Sequence, residues 1–141
     1  MLDVENARRA IQTVENAIPL MRVGRPIVHR TPEGLHIDVP ILYMDFAVDR
    51  MHFDPMTMKP SPKGYPVHFQ GDVNIEDVMN AVEGVLRALK PLQACEFRKP
   101  ERSWVVPVAW ESFIVLHVKV SEDGRSIVPD YPLTEEIRRR L

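Results

Sequence analysis

The chain is predicted to be an α+β protein, a two-layer sandwich whose mainly antiparallel sheet is covered by two long helices, with a short C-terminal helix. Three observations predict it. Apolar stripes of helical period near residues 3–18 and 74–91 are separated by runs of apolar alternation joined through short turns. The blocks Val39 to Val48 (VPILYMDFAV) and Val106 to Val115 (VPVAWESFIV) share one layout. Each block follows an Arg-x-Pro-Glu turn (Arg30 to Glu33, Arg98 to Glu101), and each turn follows a helix ending in Pro-Leu (Pro19-Leu20, Pro91-Leu92). The chain therefore reads as a single domain, residues 1–141, with an internal αββ duplication over 3–48 and 74–115 and a loop insertion over 49–70.

Each element has a local reason. Asp3 is a good N-cap for a helix to about Ile18, whose stripe is Val4, Ala7, Ile11, Val14 and Ile18. A hairpin follows, with its turn at Thr31-Pro32-Glu33-Gly34, where proline and glycine suit a type I turn. The next strand starts at Leu35 and runs to Val48. Its apolar residues switch from odd positions (Leu35, Ile37, Val39, Ile41) to even ones (Leu42, Met44, Phe46, Val48), which predicts a bulge at Pro40. Residues 49–66 contain four prolines and no period, and read as a long loop before a short strand at Val67 to Gln70.

The second helix opens at Asn74, carries the clearest stripe (Ile75, Val78, Met79, Val82, Val85, Leu86, Leu89), and is expected to end at Pro91. A strand around Ala94 to Arg98 and a longer one from Ser103 through Val120 follow. Asp123-Gly124 between apolar flanks signals a hairpin, and Thr134 is the expected N-cap of the terminal helix. The segment 108–120 is apolar on both faces, which calls for cover by helices and loop or by another subunit. A twofold homodimer is the expectation from it.

Composition bounds the function. A net charge of −2 with both signs scattered argues against a polyanion partner, so no nucleic acid is expected. Cys95 stands alone, which excludes an intramolecular disulfide and a cysteine zinc cluster. The charged first helix is unlike a signal peptide, and no apolar run is long enough to span a membrane. The expected location is the cytoplasm. Thirteen prolines against four asparagines, three glutamines and one cysteine lean towards a thermophilic source.

Three groups of residues could carry chemistry. Asp45, Asp49, His52, Asp54 and His68 crowd into one stretch, with His36 and Asp38 on the segment before it. Carboxylates and imidazoles suit a divalent transition metal able to polarise water, and Asp49, His52, Asp54 and His68 are the candidate ligands. Met51, His52, Met56 and Met58, with Met44 nearby, offer soft donors for Cu(I), although methionine also fills irregular apolar gaps. The matched pairs Tyr43/Trp110 and Asp45/Ser112 could line a small-molecule pocket under a lid formed by the 49–66 loop. Tyr43, Asp45, His52, Tyr65 and Trp110 are the candidate ligand-binding residues. No phosphate-binding glycine loop and no nucleophile elbow is present. The chain is expected to be a non-catalytic oligomeric binding or accessory domain for a partner protein or small ligand, without a cofactor. The alternative is a metal-dependent hydrolase using the carboxylates and histidines of residues 45–68.

Overall fold

A computed structural model describes residues 3–140. The strands form two antiparallel sheets, each curled into a half-barrel, in place of the single sheet under two long helices that the periodicity predicts. The first sheet holds β1 (Arg22–Val23), β2 (Ile27–Thr31), β3 (Gly34–Tyr43), β4 (Phe46–Asp54), β5 (Lys59–Pro60) and β6 (His68–Phe69). The second holds β7 (Lys90–Pro91), β8 (Glu96–Arg98), β9 (Ser103–Trp110), β10 (Phe113–Ser121) and β11 (Ile127–Val128). One longer α-helix, α1 (Val4–Ala17), two shorter ones, α2 (Ile75–Leu86) and α3 (Tyr131–Arg139), and single 3-10 turns at Ile18–Leu20 and Lys99–Glu101 accompany the sheets.

The difference from the prediction has a specific cause. Each long apolar segment is a hairpin, because the chain reverses at Met44-Asp45 and again at Glu111-Ser112. Met44 and Glu111 take the left-handed conformation, with φ of 56° and 55°. Neither turn contains the glycine or asparagine that marks such reversals in a sequence. The expected bulge at Pro40 is also misplaced. Pro40 pairs regularly with Arg50, and the register slips one step later, between Ile41 and Leu42, so that Val48 on the return strand has no partner. Pro107 pairs just as regularly with His117, and the slip there leaves Val115 unpaired. A bulge bends and twists its strand, which favours the curl of both sheets. The two hairpins also share their register: Asp38↔His52 and Pro40↔Arg50 in one stand where Val105↔Lys119 and Pro107↔His117 stand in the other.

Residues 49–66 are not one long loop: strand covers 49–54 and 59–60. β4 continues to Asp54, turns, and pairs with β5 through Phe53↔Pro60 and Asp54↔Lys59. The rest is pinned, since the Lys63 amide donates to the Ile114 carbonyl (2.8 Å) and the Ser61 amide to the His52 carbonyl (3.0 Å).

The helices are exchanged between the sheets. Asp3 caps α1 as expected, its Oδ1 accepting from the Glu5 amide at 2.8 Å. Ala10, Val14 and Ala17 of α1 are buried, and the helix packs on β7, β9 and β10 of the second sheet, while Val4 is exposed. Asn74 caps α2, which buries Val78, Val82, Val85 and Leu86 and packs on β1 and β5 of the first sheet. This helix ends at Leu86 rather than at Pro91, because Lys90 and Pro91 pair with β9. α1 also rests on the β10–β11 turn. The Thr13 hydroxyl donates to the Gly124 carbonyl (2.6 Å), and Arg9 donates to the Asp123 carbonyl (2.9 Å). Gly124 has φ of 78°, and a Cβ there would collide with the Asn6 carbonyl and the Ala10 amide, so glycine is required twice over.

Between helices and sheets lies one main core, including Ile37, Val39, Ile41, Met51 and Phe53 from the first sheet and Val106, Val108, Leu116, Val118 and Val120 from the second. Of the doubly apolar strand that suggested a dimer, Val115 and Leu116 are fully buried within the chain, while Trp110, Phe113 and Ile114 are half-buried. The terminal helix starts earlier than expected. Asp130 is its N-cap, and the Thr134 hydroxyl instead accepts from the Ala47 amide at 3.0 Å. α3 covers part of the outer face of the first sheet, where Leu133 and Ile137 meet Ile27, Leu42 and Ala47. Among the described residues, no helix is long and apolar enough to cross a membrane.

Candidate metal centre

Alternation along β3 sends Ile37, Val39 and Ile41 into the core and His36 and Asp38 to the outer face. Antiparallel pairing then brings further side chains to that face. One ladder row crosses His29 on β2, His36 on β3 and His68 on β6. The next crosses Ile27, Asp38 and His52, and the one after it pairs Pro40 with Arg50. Side chains of neighbouring rows lie close enough to interact. The result is four histidines, one aspartate and one arginine beside the patch that α3 covers.

Asp38 is the hub. Its carboxylate is buried, and Oδ1 accepts from His36 Nε2 at 2.9 Å and from His52 Nδ1 at 2.8 Å. Oδ2 accepts from Arg50 Nη1 at 2.9 Å and lies 3.5 Å from His29 Nε2. An ionised carboxylate only accepts, so in this state His36 carries its proton on Nε2 and His52 on Nδ1. Burial alone pushes the Asp38 pKa up. The hydrogen bonds from His52, His36 and Arg50 outweigh it and hold the carboxyl well below the usual carboxylate range. The His36 ring is the centre of the imidazole group, with ring centroids 5.7 Å from His29, 5.3 Å from His52 and 5.5 Å from His68.

His36 Nε2, Asp38 Oδ1 and His52 Nδ1 all lie within 4.8 Å of one another, near enough to share one metal ion. Ligands at right angles on an ion, with bonds of about 2.1 Å, sit about 3 Å apart. The two separations from Oδ1, 2.8 and 2.9 Å, are hydrogen-bond distances close to that edge length, and the two imidazole nitrogens lie within 4.8 Å of each other. His29 faces the other carboxylate oxygen, and His68 Nε2 turns towards Glu33 Oε2 at 3.7 Å.

The expected metal ligands are only partly brought together. His52 and His68 join the cluster, whereas Asp49 and Asp54 do not. Asp49 ties the two sheets where β4 runs beside β10: its Oδ1 accepts from Lys63 Nζ at 2.8 Å and its Oδ2 from the His117 amide at 2.7 Å. Asp54 accepts from the Met56 amide at 2.9 Å and shapes the β4–β5 turn. His36 and Asp38, which the sequence placed only nearby, supply the missing donors. The signal was their i, i+2 spacing on a strand, and it becomes readable once the reversal at Met44-Asp45 sets His52 opposite Asp38.

The expected ligand-binding residues are dispersed. Tyr43 packs edge-on against Phe46 of its own hairpin (5.8 Å), Trp110 does the same against Phe113 (5.6 Å), and Asp45 and Tyr65 are exposed. The soft donors diverge too, since Met51 is buried in the core while Met44 and Met56 are exposed. Cys95 is half-buried with its Sγ 3.7 Å from the Ala7 carbonyl, and burial pushes its thiol pKa up, away from the thiolate a nucleophile needs. Comparison with known protein families, curated proteins and solved structures finds no match to this chain.

Proposed function

We propose that the protein is a metal-binding domain in which His36, Asp38 and His52 hold one divalent transition-metal ion. The observation that carries the reading is the convergence of two imidazole nitrogens on one oxygen of a buried, ionised carboxylate. Such mixed nitrogen and oxygen donors suit zinc, iron, manganese or nickel. Binding through His36 Nε2 and His52 Nδ1 would require each neutral ring to carry its proton on the other nitrogen, and acid, by protonating both nitrogens, would remove the ligand, so affinity falls in acid. Arg50 on Oδ2 keeps a second cation from bridging the carboxylate, which favours a mononuclear site.

The second sheet supports a functional origin over a structural one. It pairs in the same register, yet Ser103 stands in place of His36, Val105 of Asp38, Lys119 of His52 and Arg98 of His29. A half-barrel of this kind therefore forms without the imidazoles or the carboxylate. The binding-domain reading of the sequence is retained, with the metal as its ligand and the cytoplasm as its compartment. Hydrolysis by a metal-activated water is the second reading, favoured by the ion having only three protein donors.

The test is calorimetric titration of chelator-stripped protein with Zn²⁺, Ni²⁺ and Co²⁺. One ion per chain is expected, with affinity reduced about 10–100-fold or more in Asp38→Asn and in His36→Gln, each checked for folding by circular dichroism. Absence of binding by the folded wild-type protein would overturn the reading.

A further inference from the structure

We infer that the ion at this centre keeps open coordination positions and that these take a small oxyanion, a carboxylate or phosphate group, steered by His29. The inference rests on the metal reading above and goes beyond it in naming the class of the second ligand.

Three observations lead there. The donor set within reach of one ion is three atoms: Asp38 Oδ2 is held by Arg50, His29 Nε2 faces that same Oδ2 rather than Oδ1, and His68 Nε2 lies 3.7 Å from Glu33 Oε2. A divalent ion with three protein donors has at least one further position, and three when it is six-coordinate. The face is open, since the His29 and His68 side chains are 37% and 29% exposed while Asp38 beneath them is 3% exposed. His29 and His68 are thus the most exposed imidazoles of the group, and His36 and His52, at 18% and 13%, also reach the surface, so a ligand would approach from this side.

Charge selects the ligand. Asp38 contributes one negative charge, Arg50 beside it contributes one positive charge, and the ion adds two more. Glu136 lies behind Arg50 at 3.8 Å, on the side of α3, and partly balances the guanidinium rather than the ion. Glu33, beyond His68, is 75% exposed and screened by solvent, so the inner group of Asp38, Arg50 and the ion is left cationic, and an anion is the ligand that neutralises it. His29 is placed to fix its orientation. Its ring stands edge-on to His36 with Nε2 3.5 Å from Asp38 Oδ2, close to the ion without sharing the donor atoms that hold it. An imidazole N–H there can donate to an oxygen of the bound anion.

The experiment uses the whole chain loaded with Co²⁺, whose visible absorption bands report the ion's coordination. The loaded protein is titrated with azide, acetate and inorganic phosphate at constant ionic strength. The expected result is a band change that saturates with each anion, and about tenfold weaker anion binding in His29→Ala with Co²⁺ stoichiometry unchanged. Bands that do not move, on protein still holding one Co²⁺, would overturn the open-site inference and leave the metal reading intact. Failure of the wild-type protein to bind Co²⁺ would remove both. A His29→Ala variant that loses Co²⁺ as severely as His36→Gln would make His29 a fourth ligand, and the assignment of its role would fall.

Discussion

At the scale of single residues, two aspartates that look alike in the sequence do different work. Asp38 gathers imidazoles on an outer face, whereas Asp49 is spent on the seam, holding Lys63 and the backbone of β10. Next to that seam, His117 titrates in the opposite sense to a carboxylate. Burial is the main reason its pKa lies below the ordinary 6.5, with Asp49 opposing and Lys63 and Arg98 assisting. The unfolded chain takes up this proton first. The stability gained from a neutral His117 is full above pH 6.5 and declines as the pH falls towards the folded-state value. Urea denaturation at pH 7.5 and 5.5 should show a smaller acid-induced loss in His117→Gln than in the wild-type protein. An equal loss in both would show that His117 is not one of the groups responsible.

At the scale of elements, the contact between α1 and the β10–β11 turn is tight enough to test with one atom. Gly124→Ala adds a Cβ against helix backbone as well as forcing a left-handed alanine, and should cost about 2 kcal/mol or more. Gly64 also has positive φ (87°), but nothing lies within 4 Å of its Cβ position, so Gly64→Ala should cost only about 1 kcal/mol. Comparing midpoints in urea separates packing from backbone strain. The elements that were legible in the sequence are those with local chemical marks: both helix caps at Asp3 and Asn74, the Thr31 to Gly34 turn and the Asp123-Gly124 hairpin. The reversals at Met44 and Glu111 were not, because left-handed residues other than glycine are set by the strands on either side of them. Missing those two turns turned two hairpins into two long strands. The metal donors were hidden by the same omission, since Asp38 and His52 become neighbours only across the first hairpin.

At the scale of the whole molecule, two half-barrels share one pairing pattern, and only the first gathers imidazoles around a carboxylate on its outer face. The outer face of the first sheet is divided between apolar cover by α3 and the polar cluster, with the Arg50–Glu136 contact at their border. Of the strand whose two apolar faces suggested a dimer, the chain itself buries Val115 and Leu116 and leaves Phe113 and Ile114 half-buried. The lid expected over residues 49–66 is likewise replaced in part by paired strands, with Lys63 anchored on Asp49.

The exchange of α1 and α2 between the sheets has a consequence for synthesis. As the chain is made from its N-terminus, α1 emerges long before the strands it rests on, and the first sheet waits for α2 to cover it. Neither half reaches its final packing until the other is present, so assembly is governed by contacts far apart in sequence, which folds such chains slowly. Fragments 1–72 and 73–141 should each lack a cooperative thermal transition when alone. Mixed in equal amounts, they should recover one that rises with concentration, as two molecules completing each other would. A sharp, concentration-independent melt from either fragment by itself would mean that each half can satisfy its own surfaces.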